Sequence, residues 1–189
     1  AGTVITASPE MVQGIGARMN TLIFTSPIRQ VLEHLEKTGC HVVSRDNAWI
    51  DPVKGVEKAL TLGFRKVGVT VPGFGAEEIE ALRFLEKKWN ATLLILAVCT
   101  NGVTPEKLNA IRLGADLAWS CSSRKAREQL GQSAKLTLSK KIPVFALTQR
   151  GADFAACHDP GPFPLGGPAA KNAPSQSENS REPAGCSKT

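Results

Sequence analysis

The segment Thr92-Leu-Leu-Ile-Leu-Ala-Val98 is apolar at six of its seven positions, and it is followed by Cys99-Thr-Asn-Gly102 and then by Thr104-Pro105. A strand with one face in water alternates apolar and polar side chains. A continuous apolar run instead reads as a strand covered on both faces, as in a parallel sheet enclosed by helices. The Thr-Pro pair reads as a helix start: the threonine side chain caps free N–H groups, and proline at the first helical position gives up an N–H that has no partner there. A strand, a polar turn and a helix in that order form the repeating unit of an α/β fold.

The same pattern recurs on both sides of this segment. Ser26-Pro27 and Asp51-Pro52 open two earlier helices, and Gly39, Gly63 and Gly114 close the three helices begun at 26, 51 and 104. Between those marks the apolar residues keep helical spacing, as in Ile28, Val31, Leu32 and Leu35, or Val53, Val56 and Leu60. A further helix over about 76–89 sets Ile79, Leu82, Leu85 and Trp89 on one side. Strands are predicted at 3–6, 40–44, 66–71, 116–121 and 143–147, the last as apolar as 92–98. The expected fold is therefore an open, mostly parallel sheet of about six strands with helices on both faces, a Rossmann-like three-layer arrangement. A closed eight-stranded barrel needs about 200 residues or more, and this chain has 189.

Composition sets the limits of that domain. From His158 the chain turns to Asp-Pro-Gly-Pro-Phe-Pro-Leu-Gly-Gly-Pro and then to small and polar residues, too poor in large apolar groups to offset the entropy of ordering. The expectation is an α/β domain over 1–157 and a disordered tail rich in Pro, Gly and Ser over 158–189. The chain starts at Ala1 and enters a strand almost at once, so an N-terminal segment is expected to be missing. The run 93–99 is far short of the roughly 18 apolar residues a membrane helix needs, which points to a soluble, cytoplasmic protein.

Five cysteines at 40, 99, 121, 157 and 186 include no Cys-x-x-Cys pair, and only three histidines accompany them. That spacing argues against a disulfide framework and against a self-contained metal site. The net charge of +6 lies in residues 1–157, which carry 20 Lys+Arg against 14 Asp+Glu. With no tyrosine and the basic residues in short pairs, this reads as a solvated surface with a mild preference for anionic ligands rather than a nucleic-acid footprint.

In open α/β sheets ligands bind beyond the carboxyl ends of the strands, where loops run into helix N-termini. Here those loops hold Gln13, Gly14, Gly16 and Arg18; Thr100 and Asn101; Cys121, Ser122 and Ser123; and Thr148 with Gln149. Gly14-Ile-Gly16 is an incomplete dinucleotide fingerprint, because its third position is Asn20 rather than glycine. Cys121 is the candidate nucleophile, a thiol at a strand end before hydroxyls at a helix start. The competing reading makes it a strand-ending residue, with Ser122 or Ser123 as the helix N-cap.

Several ordered blocks resemble the methanogenesis marker protein 8 family: Thr3-Val-Ile-Thr-Ala-Ser-Pro-Glu-Met-Val-Gln-Gly-Ile-Gly-Ala-Arg18, Thr25-Ser-Pro-Ile28, Ala48-Trp-Ile-Asp51 with Gly55-Val56, Ala97-Val98 with Gly102, and Pro143-Val-Phe-Ala-Leu-Thr148. The chain departs from the family at Cys99-Thr100-Asn101, where His-Thr-Thr is usual. The resemblance implies a setting in archaeal methane metabolism and defines no reaction, cofactor or catalytic residue; the expected partner is a small anionic ligand, as the charge and loop chemistry suggest, or a methanogenesis protein. The expected function is a polar or anionic ligand-binding accessory factor in cofactor or methyl-coenzyme M reductase maturation. The alternatives are an enzyme using Cys121 as nucleophile and a purely protein-binding assembly factor.

Overall fold

A computed structural model describes residues 1–12, 26–139 and 141–157. Within them the chain forms β1 (Val4–Ile5), α1 (Arg29–Lys37), β2 (His41–Val42), α2 (Pro52–Thr61), β3 (Lys66–Pro72), a short 3-10 turn (Gly73–Gly75), α3 (Glu78–Lys88) and β4 (Thr92–Val98). There follow α4 (Pro105–Gly114), β5 (Leu117–Trp119), α5 (Arg124–Gly131), β6 (Leu136–Leu138), β7 (Val144–Ala146) and α6 (Gln149–Ala156). A helical turn also begins at Pro9. The predicted tail, 158–189, lies outside the described residues.

Helix starts follow the expected chemistry where the capping side chain can reach. Asp51 accepts the Lys54 N–H at 2.8 Å, and Pro52 is the first residue of α2. Thr104 and Pro105 play the same parts for α4. The predicted start at Ser26-Pro27 is displaced: α1 begins at Arg29 behind an extended Ile28, with no side-chain cap. Gly39 and Gly63 end their helices in left-handed backbone, as expected. Gly114 is likewise the last residue of α4, without left-handed backbone; a Cβ there would lie 2.4 Å from Ile79 Cγ2, so its bare backbone also lets α3 and α4 approach.

Five strands form the main sheet in the order β3-β4-β5-β7-β6. β3, β4 and β5 are parallel, with Val69 beside Ile95 and Ala97 beside Ala118. β7 is antiparallel to both its neighbours. β1 and β2 do not join this sheet, contrary to expectation; they pair antiparallel with each other over a small core of Leu32, Leu35, Cys40 and Val42.

Of the two faces expected to carry helices, one is covered by α2 to α5, and on the other Leu117 and Ala146 are buried where β5 meets β7. Each connection from β3 through β4 and β5 to β6 moves the same way along the sheet, and right-handed crossovers then place every connecting helix on one side. Accordingly α2, α3, α4 and α5 lie side by side, and Val56, Ile79, Leu82, Leu108, Ile111 and Leu130 meet the buried strand residues Val71, Leu93, Ile95, Ala118 and Phe145 in one core. Along β4, Leu93, Ile95 and Ala97 are buried, while Leu94, Leu96 and Val98 on the other face are half-buried. α6 packs against β7.

Candidate functional site

The three parallel strands deliver their loops to one edge of the sheet. β3 runs into Gly73–Gly75 and α3, β4 into Cys99-Thr100-Asn101-Gly102 and α4, and β5 into Ser120-Cys121-Ser122-Ser123 and α5. These loops are packed tightly. A Cβ on Gly73 would fall 2.9 Å from the Cys99 carbonyl oxygen and 3.2 Å from Thr100 Cα, so the first loop lies directly on the second.

Hydrogen bonds join the second loop to the third. Thr100, fully buried, donates its hydroxyl to the Trp119 carbonyl at 2.7 Å. Asn101 Oδ1 accepts the Ser122 N–H at 3.0 Å. Ser123 Oγ accepts the Ala126 N–H at 3.1 Å and is the N-cap of α5. Arg127 donates to the Cys121 carbonyl at 3.1 Å. Thr100 and Ser123 thus spend their hydroxyls on the fold, whereas Asn101 and Ser122 remain exposed on the joined surface.

Cys99 and Cys121, the residues that follow the two strands, both have left-handed backbone, at φ 56° and 49°, and both are half-buried free thiols. Burial, and after it the neighbouring Cys121, push the Cys99 thiol above its ordinary value. Among the described residues no histidine or carboxylate is hydrogen-bonded to the Cys121 thiol, and no group of three or more His, Cys, Asp or Glu is placed to hold a metal ion.

Glu78, read from sequence only as an acidic residue at a helix start, occupies a more particular place. Its Oε2 is buried without a hydrogen-bond partner, and burial, with the charges of Asp51 and Glu77 added, raises its carboxyl above the usual range. Acidic spacing alone could not reveal this, because it depends on the side chain turning inward over Gly75.

Thr148 and Gln149 are not part of this edge. Because β7 runs antiparallel, its carboxyl end lies at the amino ends of the parallel strands. There Thr148 donates to Asp116 Oδ1 at 2.6 Å, while Asp116 Oδ2 accepts Arg83 Nη2 at 2.6 Å and the Ile95 N–H at 2.8 Å. Glu86 accepts Arg83, Arg150 and the Leu93 N–H at 2.7, 2.6 and 2.8 Å. Burial works to raise the Glu86 carboxyl, but these donors outweigh it and hold the group below its usual value. These residues line a depression of about 340 Å³ whose charges are already paired.

Gln13, Gly14, Gly16 and Arg18 lie outside the described residues. No helix among the described residues is long and apolar enough to cross a membrane. Residues 1–157 match the profile of a family described as an uncharacterized protein conserved in archaea, DUF2099. An uncharacterized protein of Methanocaldococcus jannaschii, MJ0054, is 36% identical over 154 residues, which are 82% of this chain and 53% of that protein. The chain thus spans about half the length of the curated relative it matches. No solved structure matches it.

Proposed function

This chain belongs to the archaeal DUF2099 family, and from that premise we propose that it is a binding protein for a small polar or anionic ligand held at the carboxyl edge of its sheet. The observation that carries the reading is the Asn101 Oδ1 to Ser122 N–H bond, which fuses the β4 loop and the start of α5 into one surface bearing two exposed polar side chains. The first turn of a helix presents N–H groups and a positive dipole end to an anion. The blocks that resemble methanogenesis marker protein 8 support a setting in methane metabolism, as an accessory factor in cofactor or enzyme maturation. Gln13, Gly14, Gly16 and Arg18, which follow the first strand, are proposed to complete the site. Cys121 is not assigned as the nucleophile of an enzyme reaction, because no histidine or carboxylate among the described residues is hydrogen-bonded to its thiol to activate it.

The test is thermal denaturation against inorganic phosphate, nucleotides and coenzyme M. A true ligand at 100 times its Kd adds about 2.7 kcal/mol of stability. Ser122→Ala keeps the main-chain tie to Asn101 and is expected to reduce that gain while leaving the free protein's stability unchanged. A flat response to all probes, with partner proteins still recovered by pull-down, replaces this reading with the assembly-factor one.

A further inference from the structure

Cys99 and Cys121 follow the neighbouring parallel strands β4 and β5, in which Leu96 lies beside Leu117 and Ala97 beside Ala118. Carried two residues further, that register sets Cys99 beside Ser120, with Cys121 one step along the adjoining chain. Both cysteines have left-handed backbone and so sit in the two adjoining turns just beyond the strands, where a disulfide needs their Cα atoms within about 4.4–6.8 Å.

Two hydrogen bonds tie these turns together beside the cysteines: Thr100 Oγ1 to the Trp119 carbonyl at 2.7 Å and the Ser122 N–H to Asn101 Oδ1 at 3.0 Å. Both thiols are free and half-buried, so a small molecule can reach them. The other described cysteines lack such a partner in place, Cys40 being buried under the β1–β2 pair and Cys157 exposed after α6.

We infer that Cys99 and Cys121 are a reversible dithiol that closes to a disulfide by exchange with a low-molecular-weight disulfide. The Cys121 thiolate attacks one sulfur of the small disulfide, forming a mixed disulfide and expelling a small thiolate. The Cys99 thiolate then attacks Cys121 Sγ, forms the internal S–S bond and expels the second. Both cysteine sulfurs are oxidised, the small disulfide is reduced to two thiols, and the protons lost by the cysteines go to the expelled thiolates. Cys99 is assigned the second step because burial, and after it the neighbouring Cys121, push its thiol above the ordinary value. This inference does not rest on a ligand binding at the same edge.

The experiment equilibrates the full chain with mixtures of oxidised and reduced glutathione, traps the thiols, and maps the products by mass spectrometry. The expected product is a peptide pair joined through Cys99 and Cys121, with a fraction that follows a two-electron redox curve and a raised melting temperature. In Cys99→Ala the Cys121–glutathione adduct is expected to persist. Mapping the unsubstituted chain keeps the test independent of how well that variant folds. Glutathione found separately on Cys99 or Cys121, with no joined pair at any ratio, overturns the inference. So does a pair in which Cys157 or Cys186 replaces either residue.

Discussion

Asp116 and Glu78 are carboxylates at opposite edges of one sheet, and their surroundings differ in kind. Asp116 is 1% exposed and accepts hydrogen bonds from Arg83, Ile95 and Thr148, which join α3, β4 and the start of α6 to β5. Glu78 has a buried oxygen with no partner and two acidic neighbours. Buried polar groups in folded proteins are almost always satisfied. The amino edge obeys that rule and is scaffold. At the carboxyl edge the partnerless Glu78 oxygen, the exposed Ser122 side chain and the two half-buried thiols are groups the fold does not use up.

The largest effect that can break this comparison is at Asp116. Asp116→Ala leaves the Ile95 N–H and the Thr148 hydroxyl without their acceptor around a buried gap and takes from Arg83 one of its two carboxylate partners. Removing one partner of a buried pair costs about 3–5 kcal/mol, to be read from urea denaturation. A loss below about 1 kcal/mol, the size expected for an exposed pair, would mean that the amino edge is no more structural than the other.

Gly73→Ala separates tight packing from polar satisfaction at the carboxyl edge. The new methyl would meet Val103 Cγ2 at 2.7 Å, which can move, and the Cys99 carbonyl oxygen at 2.9 Å, which is main chain. Overpacking of this kind costs about 1–3 kcal/mol. Denaturation should show that loss, and the displaced Cys99 should lower the yield of the Cys99–Cys121 disulfide. An unchanged stability would mean that the loops yield freely and that the cysteine spacing is not held.

What was legible in the sequence was local. Thr92–Val98 forms its strand, and Asp51-Pro52 and Thr104-Pro105 open their helices, because each signal acts over a few residues. Strand order was not legible, since it depends on β6, three residues between lysines that show no long apolar run. Once β6 is recognised, the stretch 139–143 is too short for a parallel crossover of a dozen residues, so β7 must return antiparallel. That reversal carries Thr148 and Gln149 to the opposite edge. At the site, Ser123 could be read as a cap from its place before the helix. Glu78 could not be distinguished from Glu77 and Glu80, because only packing decides which of three acidic side chains turns inward.

The smallest effect is also the one that most directly contrasts the edges, because Glu78 and Glu86 respond to pH with opposite signs. The Glu78 carboxyl is raised on folding, so its charge lowers stability at neutral pH, and that penalty disappears as pH falls through the raised folded value to below the ordinary one. Glu78→Gln is therefore expected to stabilise the protein at neutral pH by less than about 1 kcal/mol, given solvent screening, with the gain vanishing in acid. Glu86 is lowered on folding, so its contribution is present above the ordinary glutamate value and lost as pH falls through the folded one. Glu86→Gln should accordingly destabilise at neutral pH and converge with the parent in acid. Denaturation midpoints for the two variants across that range should approach the parent from opposite sides; if both approach from below, Glu78 is a satisfied structural group and the contrast between the edges fails.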